Sequence, residues 1–236
     1  MRDLKAVLTL CVLGAMLMSP ATVWAIPYNT GVTDGLTLLP AGSLDTHWEL
    51  ASPFPTDTSS LPITTPPFSP FVNAFANESG GWLANSASPV SGWITPSQTA
   101  IPELGGQYVY HTTFTGDQLF VGRYLSDNEV FGVYLNNIYL PTFPLSGATS
   151  FTGIWTDFSI DAGLNPSVNT LDFVVRNRGM GGIDAMPTTT GFRAEFTTAI
   201  PEPATLMLLS LGSFGLLGYH RIRCRAQKRS EVPPRA

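Results

Sequence analysis

Apolar and polar residues alternate along two stretches of this chain, near residues 172 and 194. Leu171, Phe173 and Val175 alternate with Asp172 and Arg176, and Phe192, Ala194 and Phe196 alternate with Arg193 and Glu195. A period of two places successive side chains on opposite faces of a β-strand. We therefore predict strands at 169–176 and 192–196, with apolar rows facing a core and charges facing solvent. The two strands are predicted to pair antiparallel, so that the charged residues meet across the pair.

The rest of the region 26–199 has the same character. Short β-rich runs are separated by Gly, Pro, Asn and Asp, and no window carries a sustained helical period. Further strands are predicted at 36–39, 47–50, 82–84, 92–95, 108–114, 119–125, 129–135, 138–140 and 155–160. Residues 52–70 are rich in Pro, Ser and Thr and are predicted to form a long loop. About nine to eleven short strands predict an all-β domain, a β-sandwich of jelly-roll type.

Residues 1–25 are organised like a secretory signal peptide. Arg2 and Lys5 give a basic start, 6–18 is apolar, and Val23-Trp24-Ala25 is a small-residue cleavage site. Cleavage after Ala25 would make Ile26 the mature N-terminus. A retained N-terminal anchor is the alternative.

Three segments follow one another near the end of the chain. Pro201-Glu202-Pro203 comes first, then the uncharged apolar run 204–219, then a basic cluster with Arg221, Arg223 and Arg225. Proline breaks a helix interior, so a helix is expected to begin after Pro203. Its length of roughly 24 Å approaches a hydrocarbon core of about 30 Å, and the basic cluster favours the cytoplasmic side. We predict a sorting and anchor segment at 200–229, with a transmembrane helix at 204–219, and a tail at 230–236.

This order of motif, apolar helix and basic end resembles the PEP-CTERM sorting domain of Gram-negative bacteria, also called an ice-binding protein C-terminal domain. The resemblance implies that an exosortase, a membrane cysteine peptidase, recognises Pro201-Glu202-Pro203 and cleaves the tail. It implies a precursor anchored in the inner membrane and then transferred to the cell surface or extracellular matrix. The family is associated with exopolysaccharide and biofilm matrix, so exopolysaccharide is an expected partner. Permanent anchoring by the tail is the alternative.

The region 26–199 is also similar to the ectodomains found beside such sorting domains. Gly92-Trp93-Ile94, then 108–114, 127–136 and 168–175 occur in the order seen in those proteins. They are similar to galactose-binding-like jelly rolls. The resemblance implies the same β-sandwich fold for this region.

Charge and cysteine content narrow the function further. The region 26–199 holds fourteen acidic residues, four arginines and no lysine, so a nucleic-acid partner is not expected. Neutral glycans, or divalent cations shared with an acidic polysaccharide, remain compatible. Cys11 and Cys224 both lie outside this region, which therefore has neither a disulfide nor a reactive thiol.

The motifs of common catalytic sites are not evident. The region 26–199 has two histidines and no Gly-x-Ser-x-Gly sequence, and it has no His/Cys cluster for a metal. We predict that the protein is not an enzyme and has no cofactor; an exported carbohydrate-active enzyme is the alternative. Asp127 and Asn128 are candidate ligands of a structural calcium ion, or they simply form a turn.

Tryptophans are the remaining candidates for ligand binding. Sugar-binding sandwiches stack pyranose rings on exposed tryptophans near loops. Trp82 follows Gly81 and Trp93 follows Gly92, so both are candidate carbohydrate-binding residues. The alternative for each is a core position, because a sandwich without disulfides depends on its packing.

Overall fold

The computed structural model describes residues 26–54, 66–68, 70–147, 150–182 and 185–198. Within these ranges the chain is all-β, apart from two short 3₁₀ turns at Ser150–Thr152 and Met180–Gly182. The strands are β1 (Leu44–Phe54), β2 (Val72–Asn77), β3 (Ser86–Ala87), β4 (Val90–Ser91), β5 (Trp93–Thr95), β6 (Gly106–Thr115), β7 (Phe120–Asp127), β8 (Glu129–Leu135), β9 (Ile138–Tyr139), β10 (Thr156–Ile160), β11 (Val168–Asn177) and β12 (Gly191–Thr198). The signal peptide and the transmembrane helix predicted above lie outside the described residues.

Ten of these strands form one sheet in the order β10-β7-β12-β5-β2-β1-β6-β11-β8-β9, and β3 pairs with β4 in a separate hairpin. β11 and β12 lie five places apart in that order. Nevertheless, the rings of Phe173 on β11 and Phe192 on β12 have centroids only 4.7 Å apart. The sheet therefore curls until its two halves face each other across a core, which is compatible with a β-sandwich.

The core between the two halves is rich in aromatic side chains. It includes Trp48, Tyr110, Phe120, Tyr124, Phe143, Phe158, Phe173, Phe192 and Phe196. Each of these large rings removes much apolar surface from water, and tilted ring pairs add to the stability. Burial of this kind lets the body fold without a disulfide.

Loops cover part of the outer face of the sheet as well. Phe68 packs on Val109, Tyr134 and Val174 in one outer cluster. Trp82 packs on Trp93 and Leu125 in another, with Trp155 at its side. The outer rows of β7, β11 and β12 are therefore partly buried, although their inner rows form the main core.

The pairing predicted for β11 and β12 is wrong. β11 pairs with β6 and β8, and β12 pairs with β5 and neighbours β7. Arg193 and Glu195 are buried rather than exposed to solvent. The two alternating strands do meet, but through their apolar rows across the core, because the sheet curls.

Two short strand predictions are also wrong. Residues 33–36 form a turn closed by a hydrogen bond from Leu36 N to Thr33 O, and only Val32 and Leu38 make an isolated bridge there. Leu36 has a φ of 55°, which a strand does not allow. Residues 82–84 belong to the turn region before β3. By contrast, a turn at Asn136 and Asn137 separates β8 from β9, and both residues have positive φ values, 53° and 65°, which asparagine tolerates.

Candidate functional site

An open cleft of about 920 Å³ lies beside β10, one of the two edge strands of the ten-stranded sheet. It is lined by Pro89, Val121, Gly122, Arg123, Leu140, Thr142, Phe143, Pro144, Asp157, Phe158, Ser159, Ile160, Asp161, Ala162, Glu195 and Thr197. Outward-facing residues of β10, β7 and β12 line one part, and residues 140–144 with the inward-facing Phe158 and Ile160 line the other. The lining combines carboxylates, hydroxyls and one guanidinium with apolar side chains, as small-molecule sites commonly do.

The position of Arg123 in this cleft is fixed on two sides. Its Nε donates a hydrogen bond to Glu195 Oε2 at 2.6 Å, and its guanidinium carbon lies 4.3 Å from the ring centroid of Trp155. The side chain remains 40 % exposed, whereas Glu195 is 3 % exposed. Arg123 is therefore a solvent-facing cation held by a buried carboxylate and an aromatic face.

Behind Arg123, Glu195 belongs to a buried ionic cluster, which we define as Glu195, Arg193 and Ser91, with Arg123 at its solvent-facing edge. Arg193 donates to Ser91 Oγ at 2.9 Å and to Glu195 Oε1 at 3.3 Å, and Ser91 Oγ donates to the same carboxylate oxygen at 2.5 Å. Burial lowers the pKa of Arg193, and the neighbouring Glu195 opposes this effect. Together with Arg123, the cluster joins β4, β7 and β12.

The two candidate carbohydrate-binding residues, Trp82 and Trp93, lie together under the outer surface. Their ring centroids are 4.5 Å apart, and they are 8 % and 0 % exposed. Trp93 Nε1 donates to Leu83 O at 2.7 Å, and Trp82 Nε1 donates to Asp127 Oδ2 at 2.8 Å. Sugar binding through these rings stays a prediction, and their burial does not favour it.

Asp127 and Asn128, the calcium candidates, use their oxygens in internal hydrogen bonds. Asp127 Oδ2 accepts from Trp82, its Oδ1 accepts from Asn128 Nδ2 at 2.9 Å, and Asn128 Oδ1 accepts from Arg178 N at 2.8 Å. Burial raises the pKa of Asp127 to about 6, although the bonds from Trp82 and Thr189 oppose the rise. Nowhere in the described ranges do three or more His, Cys, Asp or Glu side chains form a metal-binding group. These bonds make the pair a structural junction at the end of β7, and a calcium ion stays a prediction.

Sequence reasoning missed the residues of the cleft. Asp157 and Arg123 are cross-strand partners in the β10–β7 pair, and Glu195 lies on the next strand. Nothing in the sequence shows that β7 lies between β10 and β12. The alternation of charge with apolar residues on β12 was the one available signal, and it indicated an outer face without indicating what covers it.

The sorting residues predicted from the sequence lie outside the described residues. They are Pro201, Glu202, Pro203, Arg221, Arg223 and Arg225. The described ranges contain no helix that combines the length and the apolar composition needed to cross a membrane.

The model of the PEP-CTERM protein-sorting motif matches residues 199–222. The chain carries a PEP-CTERM sorting motif. Such a motif marks an exported protein that is anchored in the membrane and sorted by an exosortase in Gram-negative bacteria. The matched residues include Pro201-Glu202-Pro203, the apolar run and Arg221. The PEP-CTERM motif directly follows β12, whose last residue is Thr198.

The other comparisons add little to the PEP-CTERM match. No curated protein matches the chain. A solved structure that matches is the crystal structure of a beta-glucosidase from Kluyveromyces marxianus in complex with glucose, at 12 % identity and a TM-score of 0.30. The match covers 76 % of this chain and 20 % of that one. The chain thus spans about a fifth of that protein's length, and a TM-score this low supports no conclusion about fold or function.

Proposed function

We propose that this protein is an exported, non-enzymatic component of the bacterial cell surface or extracellular matrix, with weak affinity for carbohydrate. The observation that carries the proposal is the PEP-CTERM motif at 199–222 immediately after the β-sandwich body. The apolar run at 204–219 holds the precursor in the inner membrane. An exosortase then cleaves the tail, and the folded body joins the exopolysaccharide or biofilm matrix.

The surroundings of the histidines support a non-enzymatic body. His111 Nδ1 lies 2.6 Å from Asp172 Oδ1, and the ring of Phe71 stacks on the imidazole at a centroid distance of 4.4 Å. His47 stacks on Tyr28 at 3.6 Å. Both imidazoles are engaged with neighbours, whereas a general base needs access to a substrate proton. The two histidines are therefore poorly placed to act as general bases.

Sorting is tested by replacing Pro201, Glu202 and Pro203 with alanine in the producing bacterium. Wild-type protein is expected in the surface fraction without its basic end. The alanine variant is expected to stay in the membrane fraction at full precursor length, because the exosortase no longer recognises it. Deleting the exosortase should give the same result for the wild-type chain.

Ser230→Ala is the matched control, because it alters the tail beyond the matched residues 199–222. This variant should be processed like the wild type. Truncation and surface release of the triple-alanine variant would contradict exosortase sorting. Surface exposure of full-length wild type would instead support permanent anchoring.

A further inference from the structure

The cleft beside β10 offers paired donors and acceptors on one open surface. Asp157 and Ser159 point outward from β10, since Phe158 and Ile160 face the core. Arg123 on β7 is the cross-strand partner of Asp157, so their side chains lie on the same face of the sheet. This places an exposed carboxylate beside an exposed guanidinium.

The guanidinium of Arg123 has hydrogen-bond donors that its structural contacts do not use. Its Nε bonds to Glu195, and in the part of the chain that the structure describes its two Nη atoms form no hydrogen bond. Among the other described arginines, Arg178 forms a bidentate pair with Glu129, Arg176 lies 3.9 Å from the same carboxylate, and Arg193 is buried. Arg123 therefore brings fixed, unused donors into the cleft, and little conformational entropy is lost when a ligand binds them.

The charge around Arg123 favours a neutral ligand over an anionic one. Asp157, Asp161 and Glu195 all line the same cleft, and the region 26–199 has ten more acidic than basic residues. An anion attracted by one guanidinium would be repelled by these carboxylates. A vicinal diol presents adjacent hydroxyls that each donate and accept, so it matches a carboxylate beside a guanidinium.

We propose that this cleft binds a neutral, hydroxyl-rich glycan, with Arg123 donating to one hydroxyl of a vicinal diol and Asp157 accepting from its neighbour. Ser159, Thr142 and Thr197 supply further hydroxyl contacts, and Val121 and Pro89 supply apolar surface for the C–H faces of the sugar. The cleft's volume of about 920 Å³ accommodates a short oligosaccharide. This inference rests on the carbohydrate affinity in the proposed function, and it places that affinity away from the buried Trp82 and Trp93.

The test uses full-length protein purified in detergent and an array of neutral hexose oligosaccharides beside matched uronic-acid oligosaccharides. Wild type is expected to bind neutral oligosaccharides in preference to the uronic ones. Asp157→Asn should weaken that binding about tenfold, because an acceptor of a hydroxyl hydrogen bond becomes a weaker, uncharged one. Ser159→Trp should abolish it by filling the cleft.

Glu49→Gln removes one negative charge from β1, which lies five places from β10 in the sheet order, and it should bind like wild type. Circular dichroism and unfolding of each variant confirm that the body is folded. Neutral-glycan binding that survives both Asp157→Asn and Ser159→Trp overturns the cleft assignment but leaves the carbohydrate affinity. Wild type that binds no glycan, or only uronic oligosaccharides, overturns the inference, and sorting is judged separately by the tail variants.

Discussion

Asp127 lies at the end of β7, with its carboxylate buried against Trp82 and Thr189. The sequence Asp-Asn indicated a turn or a calcium ligand, but it did not indicate that a distant tryptophan would donate to the carboxylate. Burial disfavours the charged form and raises the pKa of Asp127 to about 6. The ionised carboxylate therefore lowers stability at neutral pH.

The pH dependence of unfolding tests this residue directly. A carboxyl whose folded pKa is raised contributes stability that is fully present below its unfolded pKa of 3.8 and is lost as the pH rises through about 6. The wild type should lose stability across this window, and Asp127→Asn should lose about 2–3 kcal/mol less. Urea unfolding at pH 4 and pH 7 measures how much the free energy of unfolding changes with pH in each protein.

Asp117→Asn, in the exposed turn between β6 and β7, is the matched control and should keep the wild-type slope. Asp45 contributes the same kind of dependence in all three proteins, because burial also raises its pKa to about 6. Identical slopes for Asp127→Asn and wild type would show that the carboxylate of Asp127 ionises as easily as an exposed one.

Between elements, β7 is packed closely by the strands on both sides. A Cβ added to Gly122 would lie 2.5 Å from Phe158 Cζ on β10 and 2.7 Å from Glu195 O on β12. The phenylalanine ring could move, but the backbone oxygen belongs to a strand of the sheet. Glycine is therefore required here by close approach of two strands.

Gly122→Ala should lower the free energy of unfolding by about 1–3 kcal/mol, because strands must shift to admit the methyl group. Gly80→Ala makes the same chemical change at a position where no atom lies within 4 Å of the added Cβ. Its stability should stay within about 0.5 kcal/mol of wild type. Chemical denaturation of the three proteins gives the comparison, and equal stabilities would contradict the close packing of β7.

The buried ionic cluster also joins elements. Glu195→Gln would leave Arg193 without its charged partner in a buried position, which should lower the free energy of unfolding by about 3–5 kcal/mol. Glu49→Gln removes an acid of the same type from a half-buried position and should have a much smaller effect. A small loss for Glu195→Gln would show that the cluster adds little to the stability of β4, β7 and β12. Thermal or urea unfolding distinguishes the two outcomes.

Sequence pattern was sufficient to locate β11 and β12 individually and insufficient to identify their neighbours. Alternation around Phe173 and Phe192 identified β11 and β12, because a period of two reports directly which side chains share a face. It could not report that the two faces meet across a core. Arg193 resembles a solvent-exposed residue in the sequence, since its burial depends on Trp155 and Ser91, which lie far away along the chain.

The cleft was not predictable for the same reason. Arg123 and Asp157 are separated by 34 positions in sequence, and only the β10–β7 pairing makes them neighbours. Trp82 and Trp93, by contrast, were singled out from the sequence, but the fold buries them. Proximity to glycine suggested loop positions, but the gain from burying two large rings together placed them under the surface.

In the whole molecule, the PEP-CTERM sorting motif lies outside the β-sandwich body, so the fold of the body alone does not explain where the protein is sent. The body is acidic, built around an aromatic core, and followed by the PEP-CTERM motif at 199–222. The motif could be recognised in the sequence because it is linear, with Pro201-Glu202-Pro203 as a short contiguous string. The cleft of the body could not be recognised in this way, because it is formed by side chains that the sheet brings together.

The N-terminal prediction also concerns where the protein is sent. Export through a cleaved signal peptide should leave Ile26 as the first residue of the mature protein. N-terminal sequencing of protein from the producing bacterium tests this, and a chain that begins with Met1 would instead support a retained N-terminal anchor.

Exosortase sorting is tested most directly by the intact mass of the protein recovered from the surface fraction of its own bacterium. Exosortase release predicts a mass that includes the body to Thr198 and lacks Arg221 and all later residues, because the peptidase has removed the basic end. A surface protein that retains Arg221, Arg223 and Arg225 would contradict exosortase release and would make the tail a permanent anchor.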